Sequence, residues 1–369
     1  MKNYIIVILF LFPFLAQSQT GEDSLHTNAA NEKQTYISGY GEAMVSYDSR
    51  YRTAQANFTR AVVFVGHKFS KNISFLSETE LADARVEGGK AGGEIALEQA
   101  YLRFQLNRKM HLQAGLFIPR IGIINENHLP TTYYGNHRPF TETFLIPSTW
   151  RELGVALYGS SDAVTGLNYS IAVVNGLDAS GFSNGTGIRG GRFEGGNATA
   201  SNIALTGSVQ YVMQHFTFQI SAYYGGSAGL TKREADSLQL NSGMFGTPVG
   251  LGEVNVQYLH DRLTAKVLFA AISIPEADKI NRAYANNTAK LSIGGYAEVA
   301  YRILKKLKTD AFIRYENFDL NSSIPKNGIK NEILKQQYII AGFSCFPTPG
   351  VVVKLDYVYK QTGDLNPAL

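Results

Sequence analysis

The sequence predicts an all-β fold, an antiparallel transmembrane β-barrel of about 16 strands with short periplasmic turns and long extracellular loops. Apolar and polar residues alternate through about fifteen segments of roughly ten residues each. The connections between these segments are alternately short and long, an order that nothing in a soluble β-sandwich enforces. A short apolar leader at the start of the chain indicates export.

The leader has the features of a signal peptide. Lys2 precedes an apolar run from Tyr4 to Ala16, and Ala16-Gln17-Ser18 places small residues at alternate positions, as signal peptidase requires. The run is too short to cross a bilayer as a helix, which takes about twenty residues. The predicted organisation is a signal peptide over residues 1–18, a polar flexible segment over residues 19–34 and one barrel domain over residues 35–369.

The composition agrees with many strands joined by flexible loops and argues against several classes of protein. The 369 residues include 21 tyrosines, 21 phenylalanines and 36 glycines. Cys345 is the single cysteine, so an exported chain of this kind has to fold without an internal disulfide. The formal net charge is +4, and no cluster of basic and aromatic residues favours nucleic acid as a partner.

The predicted strands form an odd-numbered series. They are Tyr36–Asp48, Asn57–Phe69, Ile73–Ala82, Glu94–Leu106, Met110–Ile118, Trp150–Gly159, Thr165–Asn175, Ser201–Val212, His215–Tyr224, Val249–His260, Arg262–Ser273, Ala289–Arg302, Lys308–Asp319, Leu334–Phe346 and Val351–Thr362. Single-chain bacterial barrels have an even number of strands, so a closing C-terminal strand is predicted to be missing and the sheet to have an open edge. The natural protein is then expected to have about twenty to thirty more residues.

Opposite faces of the predicted strands carry opposite chemistry. In one strand Ala265, Val267 and Phe269 share a face, while Lys266 lies on the other. In a wide barrel the apolar face contacts outer-membrane lipid and the polar face lines a water-filled lumen. The predicted lumen charges have mixed signs: Arg60, Arg103, Lys266, Arg314, Lys354 and Lys360 with Glu42, Glu78, Glu80, Glu152, Glu298, Asp310, Glu316 and Asp356.

The most distinctive segment is Phe117–Gly159, which includes the long connection at residues 119–149. Its prolines restrict the backbone, and Tyr133, Tyr134, Phe140 and Phe144 are expected to pack beneath it. The segment resembles the corresponding part of the phosphate-selective porin O and P family, in the form common in Bacteroidota-type bacteria. The residues that define this loop motif are Pro119, Gly122, Asn125, Glu126, Tyr134, Gly135, Pro139, Glu142, Pro147 and Trp150.

The resemblance implies a porin of roughly sixteen strands whose extracellular loop folds inward and narrows the channel. Charged residues of the loop and the lumen are then candidates to face a permeating anion. The alternative is structural, with Arg138 and Glu142 forming an ion pair that holds the loop in shape. The anion-facing candidates are Arg120, Arg138, His128, His137, Arg60, Arg103, Lys266, Arg314 and Lys354.

Three other patterns lack the context that their chemistry needs. The Gly185–Gly190 segment matches GxGxxG, but it lies in a long loop without the following helix of a dinucleotide site. Glu126 and His128 have no second ligand pair at a convincing spacing, so no metal or other cofactor is predicted. No sequence motif places a serine nucleophile, so an enzyme is not predicted.

The sequence therefore predicts an outer-membrane porin for passive diffusion of small hydrophilic solutes, with anions such as phosphate among the candidates. Mixed lumen charges favour a general pore with at most weak anion preference. Two alternatives stay open: an outer-membrane lipid or peptide hydrolase with an active site at the rim, and a secreted β protein that acts as a binding module. The permeant solute, the pore radius and the assembly, a homotrimer among the options, are not determined by the sequence.

Overall fold

The computed structural model describes residues 3–10, 34–82 and 93–364, and for residues 3–10 it describes the backbone. These residues form one closed antiparallel barrel of sixteen strands, in which each strand pairs with its neighbours along the chain. The first and last strands complete the ring.

The strands are long and the helices are short. The strands are β1 (Asn3–Phe10), β2 (Gln34–Asp48), β3 (Thr53–Lys68), β4 (Ile73–Ala82), β5 (Glu94–Gln105), β6 (Met110–Phe117), β7 (Glu152–Ser160), β8 (Leu167–Asn175), β9 (Ile203–Met213), β10 (Phe216–Gly225), β11 (Val249–His260), β12 (Leu263–Ser273), β13 (Leu291–Leu304), β14 (Thr309–Ser323), β15 (Lys335–Thr348) and β16 (Val351–Thr362). The helices are α1 (Phe140–Phe144), α2 (Lys232–Leu238) and α3 (Ala277–Tyr284), with 3-10 turns at Ala179–Gly181, Gly187–Gly191 and Glu332–Leu334. No helix in the described part of the chain has the length and apolar character needed to cross a membrane.

The prediction of an antiparallel barrel is confirmed, and all fifteen predicted strands are present as β2 to β16. The largest difference at a strand start is in β3, which begins at Thr53 rather than residue 57. Its first residues continue the pairing with β2 beyond a bulge at Glu42 and Ala43. The connection is therefore a tight turn, in which the Asp48 side chain accepts hydrogen bonds from the backbone N–H groups of Arg50 and Tyr51.

The predicted open edge is absent from the structure, because β1 lies between β16 and β2. Val7 is opposite Asp356 on one side and Ser46 on the other. An open sheet edge presents a row of unpaired backbone N–H and C=O groups, and the extended segment Asn3–Phe10 pairs with both edges. This segment belongs to the predicted signal peptide. Its cleavage and the extra C-terminal strand both stay predictions, and residues 11–33 and 83–92 lie outside the described part.

The two faces of the strands differ as the sequence predicts. On β12 and β14 the outward side chains of Val267, Phe269 and Ile313 are 54%, 51% and 54% exposed. Inward side chains such as Lys266 and Arg314 are buried. The barrel therefore presents an apolar band outward and encloses polar groups, which is the arrangement of a transmembrane barrel.

Connections alternate in length around the barrel. Apart from the turn at residues 49–52, connections on one side are long, and the longest of them joins β6 to β7 through residues 118–151. From β3 to β16, those on the other side have at most six residues, such as residues 261–262 between β11 and β12, while residues 11–33 separate β1 from β2. The short-and-long alternation predicted from the sequence is thus confirmed from β2 to β16, with the turn at residues 49–52 as the exception.

Candidate functional site: an inward loop across the barrel lumen

The connection between β6 and β7, residues 118–151, folds into the lumen and is called the inward loop below. It reaches the far wall of the barrel: the backbone N–H of Asn136 donates to Asp356 Oδ2 on β16 at 2.7 Å, and its Nδ2 donates to Oδ1 at 2.8 Å. Thr141 donates from both its backbone N–H and its hydroxyl to Glu316 on β14. The loop is thus fixed to strands nearly opposite its own origin and occupies the interior of the barrel.

Two glycines allow the backbone of the inward loop to turn close to charged side chains. Gly122 and Gly135 have φ values of +78° and +77°, a region that side chains with a Cβ rarely adopt. A Cβ on Gly122 would lie 2.5 Å from Glu142 Oε2, and one on Gly135 would lie 2.7 Å from Asp356 Oδ2. The backbone conformation and the close carboxylate oxygen therefore both favour glycine at these two motif positions.

Glu142 is the internal anchor of the loop. Its Oε2 accepts hydrogen bonds from the backbone N–H groups of Ile123 and Ile124 at 2.8 and 2.7 Å. Its Oε1 accepts from the Tyr296 hydroxyl on β13 at 2.7 Å, which connects the loop to the wall. Burial raises the pKa of the Glu142 carboxyl to about 7, against the opposing effect of these hydrogen bonds.

The two ends of the inward loop are held together by Asn125 and Trp150. Asn125 Nδ2 donates to the carbonyl of Pro119 at 2.9 Å, and its Oδ1 accepts from the backbone N–H of Trp150 at 2.8 Å. The Trp150 indole donates to Glu152 at 2.6 Å and packs against Tyr223, with ring centroids 4.7 Å apart. These contacts close the base of the loop.

Aromatic residues pack the loop against the wall, as predicted. Phe140 stacks on Tyr338 of β15 with ring centroids 4.2 Å apart, and Tyr134 stacks on Phe312 of β14 at 5.7 Å. Phe144 contacts Phe318, at 6.0 Å between centroids. The hydrophobic contacts add to the polar ties and hold the loop in one path.

The remaining motif residues also have contacts within the loop or with its neighbours. Glu126 accepts from Arg120 Nε at 2.6 Å, and Pro139 precedes α1, whose first two backbone N–H groups donate to Glu316. Pro147 accepts a hydrogen bond from Arg192 through its carbonyl at 2.9 Å. The motif residues thus stabilise one folded conformation of the inward loop.

The predicted ion pair between Arg138 and Glu142 is wrong. Arg138 Nη2 donates instead to the backbone carbonyl of His128 at 3.3 Å. The Glu142 carboxylate is directed to the two backbone N–H groups and the tyrosine hydroxyl described above. Buried backbone donors need acceptors, and Glu142 is the acceptor that α1 brings to them.

Several predicted anion-facing cations are buried in contacts with protein groups. Arg314 is 0% exposed and donates to Glu298 and Glu316 at 3.0 and 2.9 Å. Lys354 is 1% exposed, with its Nζ 3.8 Å from the centroid of the Tyr133 ring. A fully buried side chain cannot face a passing solute. The predicted anion-facing position is therefore wrong in this structure for Arg314, Lys354 and His128, and it stays a prediction for Arg103 and Lys266, which are 7% and 8% exposed.

The other candidates, Arg60, Arg120, Arg138 and His137, keep partly exposed side chains, and the first two are paired with acids. Arg60 lies 3.1 Å from both Glu42 and Glu80. Arg120 pairs with Glu126 and stacks on Tyr158, 5.1 Å from the ring centroid. Burial lowers the pKa of His137 and so favours its neutral ring. The prediction of interleaved positive and negative lumen charges is confirmed for the described strands.

A second loop braces the inward loop, and sequence reasoning missed this role. Arg189 donates to the carbonyl of Thr143 at 3.0 Å, and Arg192 donates to the carbonyl of Thr149 at 2.9 Å. Arg189 lies within the GxGxxG segment and Arg192 follows it, and Gly187–Gly191 form a single 3-10 turn rather than the helix of a dinucleotide site. Two arginines in a glycine-rich stretch are the only local signal.

Sequence reasoning also missed a cluster of Glu78, Glu98 and His128. One ligand-type atom from each residue lies within 4.8 Å of the others, and all three residues are buried. Glu126, the neighbour considered for His128 in the sequence, pairs with Arg120 instead. The cluster joins residues far apart in the chain, so local spacing gives no sign of it.

No family model matches the chain. It is 29% identical over 350 residues to an uncharacterized protein of Aquifex aeolicus, covering 90% of this chain and 77% of that protein. The outer membrane channel DcaP of Acinetobacter baumannii has a similar structure, with a TM-score of 0.50 and 10% identity over 98% of this chain and 94% of that one. Salmonella typhi OmpF, in its complex with daunomycin, gives a TM-score of 0.50 and 9% identity over 98% and 97%.

At these identities the solved structures show the fold alone. The chain is a transmembrane β-barrel of the outer-membrane type, and its lumen contains a fixed inward loop.

Proposed function

We propose that the protein is a porin of a bacterial outer membrane that lets small hydrophilic solutes diffuse passively. The observation that carries this proposal is the inward loop, which crosses a polar lumen and is tied to the opposite wall through Asp356 and Glu316. Such a loop narrows the channel from the inside and leaves the lipid-facing surface of the barrel unchanged. The narrowed channel then selects solutes by size. No chemical step is part of the proposal.

The finer proposal is a weak preference for anions, with phosphate among them. The resemblance of residues 117–159 to phosphate-selective porins supports it. Among the candidate cations, Arg60 and Arg120 retain side-chain exposures of 19% and 22%. Because each lies beside a carboxylate, we expect the preference to be small.

Planar-bilayer recording tests the porin proposal. The purified full chain should give discrete conductance steps, since the lumen is polar and the loop is fixed. Purified, folded protein that inserts into bilayers and gives no steps would overturn the proposal.

The reversal potential in a salt gradient tests the anion preference. We expect the reversal potential of the wild type to differ slightly from zero, with the sign of an anion-selective channel. The reversal potential of Arg120→Gln should be closer to zero, because this variant leaves the Glu126 carboxylate without its partner. Arg108→Gln removes an equal charge from the exposed turn between β5 and β6 and is the matched control. Cation preference in the wild type, no preference, or equal effects of the two substitutions would contradict the anion proposal.

Export and assembly complete the proposal. Residues 1–18, which include β1, are proposed as a cleaved signal peptide, and β2 and β16 of the exported protein would then need another pairing partner. The N-terminal sequence of protein isolated from outer membranes tests this. A homotrimer stays a prediction, which the mass of the detergent-solubilised complex measures directly.

A further inference from the structure

Three buried side chains converge where the inward loop meets the strands β4 and β5. They are Glu78 on β4, Glu98 on β5 and His128 in the inward loop, and they are 2%, 4% and 3% exposed. His128 Nε2 lies 3.0 Å from Glu78 Oε1 and 3.7 Å from Glu98 Oε2. An imidazole nitrogen and two carboxylate oxygens thus share one enclosed space.

The hydrogen bonds around the cluster orient these three atoms. His128 Nδ1 lies 3.1 Å from the backbone carbonyl of Asn125. A carbonyl oxygen only accepts, so Nδ1 donates to it, while Nε2 donates to Glu78 Oε1 at 3.0 Å and would exchange that proton for a metal ion. Histidines that bind metals are held in this way, through a hydrogen bond from the second ring nitrogen to a carbonyl or a carboxylate.

The far oxygens of the two carboxylates are also occupied by protein donors. Gln99 donates to Glu78 Oε2 at 2.9 Å. Thr149 and Arg151 donate to Glu98 Oε1 at 3.2 and 3.1 Å. These bonds leave Glu78 Oε1 and Glu98 Oε2 on the side of the histidine.

Glu98 Oε2 gives an independent sign of a ligand. This oxygen is buried and accepts no hydrogen bond from the described residues. A buried carboxylate oxygen without a donor is costly, because it has lost its water and gained nothing in exchange. It points into the space that His128 Nε2 and Glu78 Oε1 border.

The charges nearby leave room for a cation. Arg151 lies between Glu98 and Glu194, and Arg192 also pairs with Glu194. Two arginines therefore offset two of these carboxylates. Glu78 has His128 as its direct partner and the charge of Arg138 at longer range, so a metal ion that takes the place of the proton on His128 Nε2 would keep a positive charge beside it.

We propose that Glu78, Glu98 and His128 bind a divalent transition metal ion, with Zn²⁺ the best match. Zn²⁺ binds imidazole nitrogen and carboxylate oxygen at about 2.0–2.2 Å, which places ligand atoms of one ion roughly 3–4 Å apart. The distances of 3.0 and 3.7 Å from His128 Nε2 fall in that range. Mg²⁺ and Ca²⁺ fit less well, because they prefer oxygen ligands alone.

The consequence is a metal cross-link between the inward loop and the wall at β4 and β5. It would attach the loop to a part of the wall separate from β16 and β14, which carry the ties to Asp356 and Glu316. The site does not depend on what passes through the barrel, so it stands apart from the proposed porin function.

Zn²⁺ titration of the refolded, metal-stripped full chain in detergent tests the site. We expect one tight site per chain in the wild type, and a loss of affinity of at least about a hundredfold in His128→Gln, since even outer-shell changes cost 10–100-fold. His137→Gln removes another histidine of the same loop and should bind as the wild type does. Co²⁺ in place of Zn²⁺ should give the visible absorption of a nitrogen- and oxygen-ligated ion in the wild type and the control.

Glu98→Gln is a second variant that keeps an amide oxygen for Thr149 and Arg151 but removes the buried charged oxygen. It should also lose the site, and heat-dependent electrophoretic mobility checks that each variant is folded. A wild type without tight Zn²⁺ binding would overturn the proposal and leave a proton on His128 Nε2 as the link to Glu78. Equal affinity in the wild type, His128→Gln and Glu98→Gln would show adventitious binding and would overturn it too.

Discussion

Individual residues determine the path of the inward loop. Gly122 turns with positive φ directly against the Glu142 carboxylate, and that carboxylate holds Ile123 and Ile124. A change at either position affects the same few hydrogen bonds. Gly122 and Glu142 are therefore suitable positions at which to test these hydrogen bonds.

Gly122→Ala should loosen the inward loop. The new Cβ would stand 2.5 Å from Glu142 Oε2, and alanine at φ +78° carries a backbone cost of about 1–3 kcal/mol. The expected result is faster cleavage within the loop by added protease. Gly252→Ala on β11 is the control, since its Cβ meets no atom within 4 Å. Equal cleavage rates for the two variants would show that Gly122 does not hold the loop.

The loop should become less stable as the pH rises. The pKa of Glu142 is about 7 in the folded loop, above its usual 4.5, so the folded state binds the proton more tightly. The resulting stabilisation is complete below pH 4.5 and is lost as the pH rises through 7, with a limit of roughly 3 kcal/mol. Proteolysis of the loop at pH 5 and pH 8 measures it, and Glu142→Gln should lack this component. An identical pH dependence in the variant would assign the effect to other groups.

The strands and the loop differ in how far sequence predicts them. A strand can be predicted from its own residues, because alternate residues face lipid and lumen. The strands Val249–His260 and Val351–Thr362 accordingly match their predicted bounds. The path of the inward loop depends on partners far along the chain: Asn136 and Asp356 are 220 residues apart, and His128 and Glu78 are 50 apart. Local patterns carry no record of such pairs. For that reason the loop was predicted, but the burial of Arg314 and Lys354 and the cluster of Glu78, Glu98 and His128 were not.

The outward face of β12 provides a test of membrane insertion. Val267→Lys places a charge in the middle of the apolar band and should cost about 2–4 kcal/mol of unfolding free energy near the bilayer midplane. Leu307→Lys is the control, because Leu307 is similarly exposed, 56% against 54%, but lies in a turn. Urea unfolding in lipid vesicles measures both. Equal, small effects would favour the secreted, non-membrane alternative.

At the scale of the whole molecule, a closed barrel with an apolar exterior surrounds an interior that the inward loop crosses. Charged pairs such as Arg314 with Glu316 lie between the loop and the wall rather than along an open path. Sequence alternation places these charged residues on the inward face of the strands, but it does not show that the inward loop covers them. Mixed lumen charges were therefore predictable, while the residues exposed to a solute were not. If the protein is the proposed porin, the inward loop is the element that narrows its channel.

Single-channel conductance of a loop-replacement variant tests this central claim most directly. Replacing residues 127–147 by a short Gly-Ser linker keeps Asn125 and Trp150, which close the base of the loop. The same linker in place of residues 232–238 removes α2 and is the matched control. We expect small steps in the wild type and the control, and severalfold larger steps in the loop-replacement variant. Equal conductance in all three proteins would contradict a narrowing role for the inward loop, and no conductance in any of them would contradict the porin function.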